Sequence, residues 1–135
     1  MELCQNVTFE IFGDHDIYKL YRNIPRVTVL HPMSWENYLV YTKTQRIDIG
    51  LAPLLDSAFN AARGPVKFYD FVRMGAVGIY SNRAPYKGIV RQNVDGILLE
   101  NDSELWVNAI KTLSHSHEKR MQLAHNAKQS AIRSC

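Results

Sequence analysis

The chain has 135 residues, and its 16 lysines and arginines against 13 aspartates and glutamates give a formal net charge of +3. A hydrophobic content of 46% predicts a folded globular domain and excludes a disordered, collagen-like or low-complexity chain. The mildly basic balance suits an anionic ligand. The positive charge is smaller than that of nucleic-acid-binding proteins, which carry a dense stripe of basic residues, so no nucleic-acid partner is expected.

The first residues carry neither the basic nor the apolar region of a signal peptide. Apolar runs stay far below the roughly 20 residues that cross a bilayer, so no transmembrane segment is expected. Cys4 and Cys135 are interpreted as free thiols in a reducing compartment. We therefore expect a cytoplasmic protein. Peripheral membrane contact is a weaker alternative, based on the basic residues of the last predicted helix, Lys119, Arg120, Lys128 and Arg133.

Along the chain, segments with strand periodicity alternate with segments of helical periodicity. The first half contains three predicted strands and a helix that begins after the capping residue Ser34. In order, these elements are strand Val7–Phe12, strand Arg26–Leu30, helix Trp35–Tyr41 and strand Ile47–Leu54.

The second half continues the alternation. A helix from about Pro65 to Met74 is predicted to end at Gly75, in a left-handed cap. The apolar run Ala76–Ser81 is typical of a strand buried on both faces of a parallel sheet. The remaining predicted elements are a short helix from Ala84 to Val90, strand Gly96–Leu99, and helices at about 103–115 and 118–133. The apolar faces of the last two helices are predicted to include Leu105 and Met121, respectively.

This order predicts an α/β fold: a single domain over residues 1–135 with a Rossmann-like parallel sheet and helices on both faces. Ligands of such sheets bind outside the carboxyl ends of the strands. The loops after Leu54, Tyr80 and Leu99 are therefore the expected binding region.

Several enzyme classes are disfavoured because their motifs are missing. There is no Gly-x-Gly-x-x-Gly fingerprint, no phosphate loop and no Gly-x-Ser-x-Gly elbow. His15 lies between two aspartates, but no second cluster with ligand spacing accompanies it, so we interpret the segment as a solvated turn. Neither a metal nor another cofactor is expected.

The stretch from Asp48 to Trp106 carries a resemblance to a known family. It contains Asp-Ile-Gly-Leu-Ala-Pro-Leu from Asp48, Lys-Phe-Tyr-Asp from Lys67 ending at Gly75, and Gly-Ile-Leu-Leu from Gly96. In order and spacing these motifs resemble the C-terminal, nucleotide-sugar-binding domain of GT-B glycosyltransferases. The resemblance covers about two-thirds of the chain.

The resemblance implies a set of site residues. Asp70, five positions before Gly75, would hold the ribose hydroxyls, and the alternative is an aspartate stabilised by the first turns of a helix. The segment Arg63-Gly64 and the following helix N-terminus would meet the diphosphate, with Arg63 and Lys67 adding charge-assisted contacts. Pro85 and Tyr86 would line the same crevice, and for Tyr86 packing in the core is favoured over stacking on the ligand.

The resemblance also implies what is missing. Ala62 stands where many family members have a glutamate facing the donor sugar. The acceptor half of a GT-B enzyme is absent, and the first strand of the donor domain is expected to be absent too. The implied function is binding of a UDP- or GDP-sugar type donor for glycosyl transfer to an acceptor held by a missing N-terminal domain. We expect this chain by itself to be inactive.

Two alternatives stay open. The chain could be a non-catalytic structural or interaction module derived from the same fold, self-associating through an exposed sheet edge. It could also be a small flavodoxin-like receiver or nucleotide-binding domain, for which Asp14 and Asp16 are a thin match to the required acidic cluster.

Overall fold

A computed structural model describes residues 7–12, 15–54 and 64–133 of the protein. The chain divides into two compact units, residues 1–41 and 42–135. Each unit is described by itself, and the single domain expected over residues 1–135 stays a prediction. Strands are numbered β1–β5 and helices α1–α5 in chain order.

The first unit contains two parallel strands, β1 (Phe9–Phe12) and β2 (Val27–Leu30), in which Phe9 faces Val27. Helix α1 (His15–Tyr21) connects them, and α2 (Trp35–Thr44), whose last three residues belong to the second unit, follows β2. The predicted turn around His15 is wrong, because His15 begins α1. This helix has only seven residues and buries none of its side chains.

Ser34 caps α2 as predicted, because its Oγ accepts a hydrogen bond from the Asn37 amide at 3.2 Å. In the same unit, the Tyr41 hydroxyl donates to the Glu10 carboxylate. Burial, this hydrogen bond and the charge of Glu10 raise the pKa of Tyr41 to about 12. The Phe12 ring packs edge-on against Tyr41, with ring centroids 5.3 Å apart.

The second unit is built on three parallel strands in the order β3-β4-β5: Ile49–Ala52, Val77–Ser81 and Ile97–Leu99. Gly50 faces Gly78, and Ile79 faces Ile97. All five residues of the central strand β4 are buried, as its unbroken apolar run predicts. The predicted parallel, Rossmann-like α/β arrangement is therefore confirmed.

Helix α3 (Val66–Arg73) connects β3 to β4 and buries Phe68, Asp70 and Phe71. Pro65 is its N-cap residue, and the Gly75 amide donates to the carbonyl of Val72 just beyond its end. Gly75 has φ 72°, the left-handed conformation predicted for the residue that ends this helix.

Two helices follow β5 at the predicted places, α4 (Ser103–Ser114) and α5 (His117–Arg133). The side chain of Asp102 caps α4 by accepting from the Glu104 amide at 2.9 Å. Two residues predicted to lie on the buried faces are exposed instead, Leu105 on α4 and Met121 on α5. The buried line of α5 runs through Leu123, Ala127 and Ala131, whose spacing of four places them on one face.

Glycines make room for aromatic rings on the sheet of the second unit. A Cβ at Gly50 would come within 2.5 Å of the Phe71 ring, and a Cβ at Gly78 would overlap the ring of Tyr80. A Cβ at Gly96 would also approach Tyr80, at 3.0 Å. The two rings are 5.8 Å apart, so α3 packs on the sheet through aromatic residues that rest on glycines.

Candidate functional site

The carboxyl ends of β3, β4 and β5 lie at one edge of the sheet, because the three strands are parallel. We call this the carboxyl edge. Among the described residues, the helical segments that come next in the chain after these strands are α3, the 3₁₀ turn Tyr86–Gly88 and α4. In open α/β sheets this edge is where ligands bind.

Hydrogen bonds tie the three strand ends together. The Leu54 amide donates to Ser81 Oγ at 2.7 Å, and Ser81 Oγ donates to Asn101 Oδ1 at 2.6 Å. The Asn101 side-chain amide in turn donates to the Leu54 carbonyl at 2.6 Å. We call Ser81, Asn101 and the Leu54 main chain the Leu54 clamp. It connects the segment after β3 to the end of β4 and to the second residue after β5.

Charged and polar side chains continue along the same edge. Arg83 Nη2 lies 3.7 Å from Glu100 Oε2, and Asn82 Nδ2 donates to Glu100 Oε1 at 3.3 Å. The indole N–H of Trp106 donates to the Glu100 carbonyl at 2.9 Å, which connects α4 to the end of β5. The loops after β4 and β5 are thus held together by an ion pair and by amide hydrogen bonds.

Asp70 lies at the centre of a polar group on α3. Its side chain is 1% exposed, and it is ion-paired with the guanidinium of Arg73. Lys67 Nζ lies 3.9 Å from Asp70 Oδ2, so both side chains are on the same side of α3, while Lys67 remains 47% exposed. Arg73 Nε also donates to Oγ1 of the buried Thr42 at 3.2 Å. The Asp70 carboxylate is therefore enclosed by two cations and closed to solvent, whereas the Lys67 ammonium is in contact with solvent.

The remaining predicted site residues differ in their access to the carboxyl edge. Gly64 is exposed just before α3, and a Cβ there would meet nothing nearer than Val66, at 3.9 Å. Pro85 is half-buried, and Tyr86 is buried with its ring centroid 4.7 Å from that of Tyr80. Burial, together with Tyr86 and Asp95, raises the pKa of Tyr80. Arg63 and Ala62 lie outside the described residues.

Sequence reasoning missed four residues: Arg73 and Thr42, which belong to the polar group around Asp70, and Ser81 and Asn101, which lie at the carboxyl edge. The spacing of three between Asp70 and Arg73 on a predicted helix was a signal for their ion pair. Ser81 ends one buried strand and Asn101 comes shortly after another, where a parallel sheet gathers polar residues. Thr42 carries no such signal, because its contact with Arg73 joins residues 31 positions apart.

Across residues 7–12, 15–54 and 64–133, no group of three or more His, Cys, Asp or Glu side chains could hold a metal ion. Among the helices of the described part, none is long and apolar enough to cross a membrane. A cleft of about 450 Å³ lies between the turn before β5 and the start of α5, where Asn93, Lys119 and Asn126 contribute to its lining. Because Asn93 precedes β5, this cleft is at the opposite end of the strand from Glu100.

Neither a protein-family model nor a curated protein matches this sequence. Solved structures nevertheless define the fold, which is that of the C-terminal domain of GT-B glycosyltransferases, as the motifs predict. One is the C-terminal domain of a group 1 family glycosyl transferase (LpcC) from Francisella tularensis. Its TM-score is 0.67 at 12% sequence identity, and the match covers 87% of this chain and 58% of that one.

The second similar structure is HepE (Alr3699) from Anabaena, solved in complex with UDP-glucose. Its TM-score is 0.74 at 18% identity, over 96% of this chain and 37% of that one. The present chain therefore spans little more than half of the first structure and about a third of the second. At such low identity, the likeness establishes the fold.

Proposed function

We propose that this chain is the nucleotide-sugar donor-binding part of a glycosyltransferase. The observation that carries the proposal is the likeness, over 96% of the chain, to a protein solved with UDP-glucose. The polar carboxyl edge supports it, because sheets of this kind bind ligands there. The proposed reaction passes a glycosyl group from a nucleoside diphosphate sugar to an acceptor. The acceptor and the catalytic base belong to another domain, so the isolated chain has no transferase activity of its own.

In this proposal the N-terminal end of α3 receives the diphosphate. Its first amides carry a partial positive charge, and Lys67 in the first turn adds a half-exposed ammonium. The open space at Gly64 lets a phosphate oxygen approach the main chain. Arg63, assigned to the same group by the resemblance, remains a prediction from the sequence.

These cations also define the chemistry that the chain can contribute. Glycosyl transfer leaves negative charge on the departing diphosphate, and donors placed in advance around that group stabilise the transition state. Lys67 supplies a point charge for this purpose, and the α3 N-terminus supplies N–H groups. Pro85 provides a half-buried surface at the edge, while Tyr86 supports the edge from the core.

The structure favours an indirect role for Asp70. A carboxylate that is 1% exposed and paired with Arg73 does not reach a ribose without rearrangement of α3. With Lys67 3.9 Å away, Asp70 instead limits where the ammonium can lie. The ribose contact that the resemblance assigns to Asp70 stays a prediction, and the Asp70→Asn variant distinguishes the two roles. A direct ribose contact would make this variant lose affinity for uridine as much as for UDP, whereas positioning of Lys67 affects the diphosphate.

Calorimetric titration with UDP, GDP and uridine tests the proposal. The wild-type chain should bind UDP or GDP, and Lys67→Ala should weaken that binding about tenfold, because one charge-assisted contact to phosphate is lost. Uridine binding should change little in the same variant. Lys128, an exposed lysine of α5, provides the matched control, since Lys128→Ala removes the same charge from another helix.

Two outcomes would contradict the proposal. The first is a wild-type chain that binds neither UDP nor GDP at millimolar concentration, which would remove the donor-binding function. The second is equal weakening by Lys67→Ala and Lys128→Ala. That result would show that UDP binding depends on the net charge of the chain, and that α3 makes no specific contribution to it.

A further inference from the structure

The Leu54 clamp has one hydrogen-bonding arrangement. Ser81 has a single hydroxyl proton and gives it to Asn101, so its oxygen accepts from the Leu54 amide. Asn101 must then turn its carbonyl toward Ser81 and its NH₂ toward the Leu54 carbonyl. Both polar groups of the Leu54 main chain are thereby satisfied by two side chains from other strand ends.

The clamp replaces hydrogen bonds that the sheet does not supply at this point. The pairing between β3 and β4 ends at Ala52 and Tyr80, so Leu54 lies beyond the regular ladder. Ser81 is fully buried at the end of a strand that is otherwise apolar or aromatic, a position where a hydroxyl must find partners. The side chains of Ser81 and Asn101 therefore decide where the main chain leaves β3.

From this geometry we infer that Ser81 and Asn101 are positioning residues for the ligand bound at the carboxyl edge. The inference rests on the proposed function. The connection that starts at Leu54 leads to Gly64 and to the N-terminus of α3, where the diphosphate is proposed to bind. By holding Leu54 against the ends of β4 and β5, the clamp keeps the start of that connection in register with the loops after those strands.

Three variants test the inference in the full chain. Asn101→Ala removes the donor to Leu54 and the acceptor for Ser81, and because Asn101 is largely exposed the fold should tolerate the change. Ser81→Ala removes the hydroxyl from both bonds, whereas Ser81→Thr retains it and serves as the rescue variant. Asn108→Ala on the exposed side of α4 is the matched control.

Two readouts are measured for each variant. The first is the hydrogen-exchange rate of the Leu54 amide by NMR, and the second is UDP affinity by calorimetry. Asn101→Ala and Ser81→Ala should speed Leu54 exchange and weaken UDP binding by about fivefold to tenfold, a change similar in size to the net contribution of a single hydrogen bond. Ser81→Thr and Asn108→Ala should stay close to the wild type in both.

The possible outcomes distinguish failure of this inference from failure of the proposed function on which it rests. If the wild type binds UDP and Asn101→Ala binds it equally well, the positioning role is wrong and the proposed function stands. If affinity falls while Leu54 exchange is unchanged, Asn101 contacts the ligand directly, and positioning is again wrong. A wild type that fails to bind overturns both. If Ser81→Ala does not fold, the result for Asn101→Ala, at an exposed position, decides by itself whether the positioning role holds.

Discussion

Tyr80 is the largest fully buried side chain of β4, and burial is the main cause of the shift in its hydroxyl pKa. The rings of Phe68, Phe71 and Tyr86 surround it. Removing a phenol from water disfavours the phenolate, and the nearby Tyr86 and Asp95 add to the effect, so the pKa of Tyr80 lies above its ordinary value of 10.0. Above pH 10, the folded chain therefore keeps the Tyr80 hydroxyl proton that the unfolded chain releases.

The pH dependence of stability follows from this difference. Stabilisation by the protonated Tyr80 is complete below pH 10, the pKa of the unfolded chain, and declines as the pH rises further, by about 1.4 kcal/mol per pH unit. Tyr80→Phe cannot ionise, so its free energy of unfolding should fall less between pH 8 and pH 10.5 than that of the wild type. Urea unfolding at the two pH values measures the change, and equal losses in both proteins would contradict the assignment.

At the scale of elements, the sheet of the second unit accepts α3 because β3 and β4 carry glycines at paired positions. Gly50 faces Gly78, and the rings of Phe71 and Tyr80 occupy the space that side chains would take there. Glycine in a strand is unfavourable for the isolated strand, since it increases the entropy lost on folding. The aromatic packing in the folded chain compensates for that cost.

Gly78→Ala should therefore destabilise the protein. The added methyl group overlaps the buried Tyr80 ring, and overpacking of this kind costs about 1–3 kcal/mol in free energy of unfolding. Gly88→Ala provides the control, because a Cβ at Gly88 has nothing within 4 Å. Thermal and urea unfolding measure both variants. If Gly78→Ala is as stable as Gly88→Ala, the ring does not rest on the glycine.

At the scale of the whole molecule, burial is uneven along the chain. Among the described residues of the first unit none is buried, whereas the second unit contains buried residues from Thr42 to Ala131. Segments with few buried contacts open at lower free energy than core strands. The two units should accordingly differ in how fast their backbone amides exchange with solvent.

Hydrogen exchange measured by mass spectrometry on the intact chain tests this expectation. Peptides that cover β4 should exchange most slowly, and those that cover β1 and β2 should exchange about a hundredfold faster, which corresponds to roughly 3 kcal/mol in opening free energy. The internal reference is β3, which is paired with β4 yet only partly buried. Equal protection of β1 and β4 would show that local burial does not set the opening free energy.

Much of the fold was predictable because its signals are local. The apolar run of β4, the cap at Ser34 and the glycine that ends α3 each depend on a few neighbouring residues. Helix α1 was missed because its seven residues are too few for a clear helical period, and Met121 was placed on the wrong face because an alanine-rich helix gives a weak apolar stripe. The candidate site was predictable as a region, since parallel strands bring their carboxyl ends to one edge.

By itself, the amino-acid sequence determined the α/β class, the order of the elements other than α1 and the likeness to the fold of the GT-B C-terminal domain. The reason is that periodicity, caps and motif spacing all act over short distances along the chain. Only the tertiary structure decided that Asp70 is enclosed by Arg73 and Lys67, that Thr42 joins this group, and that Ser81 and Asn101 hold Leu54. Burial and hydrogen-bond partners depend on which distant segments meet, and packing sets that in three dimensions.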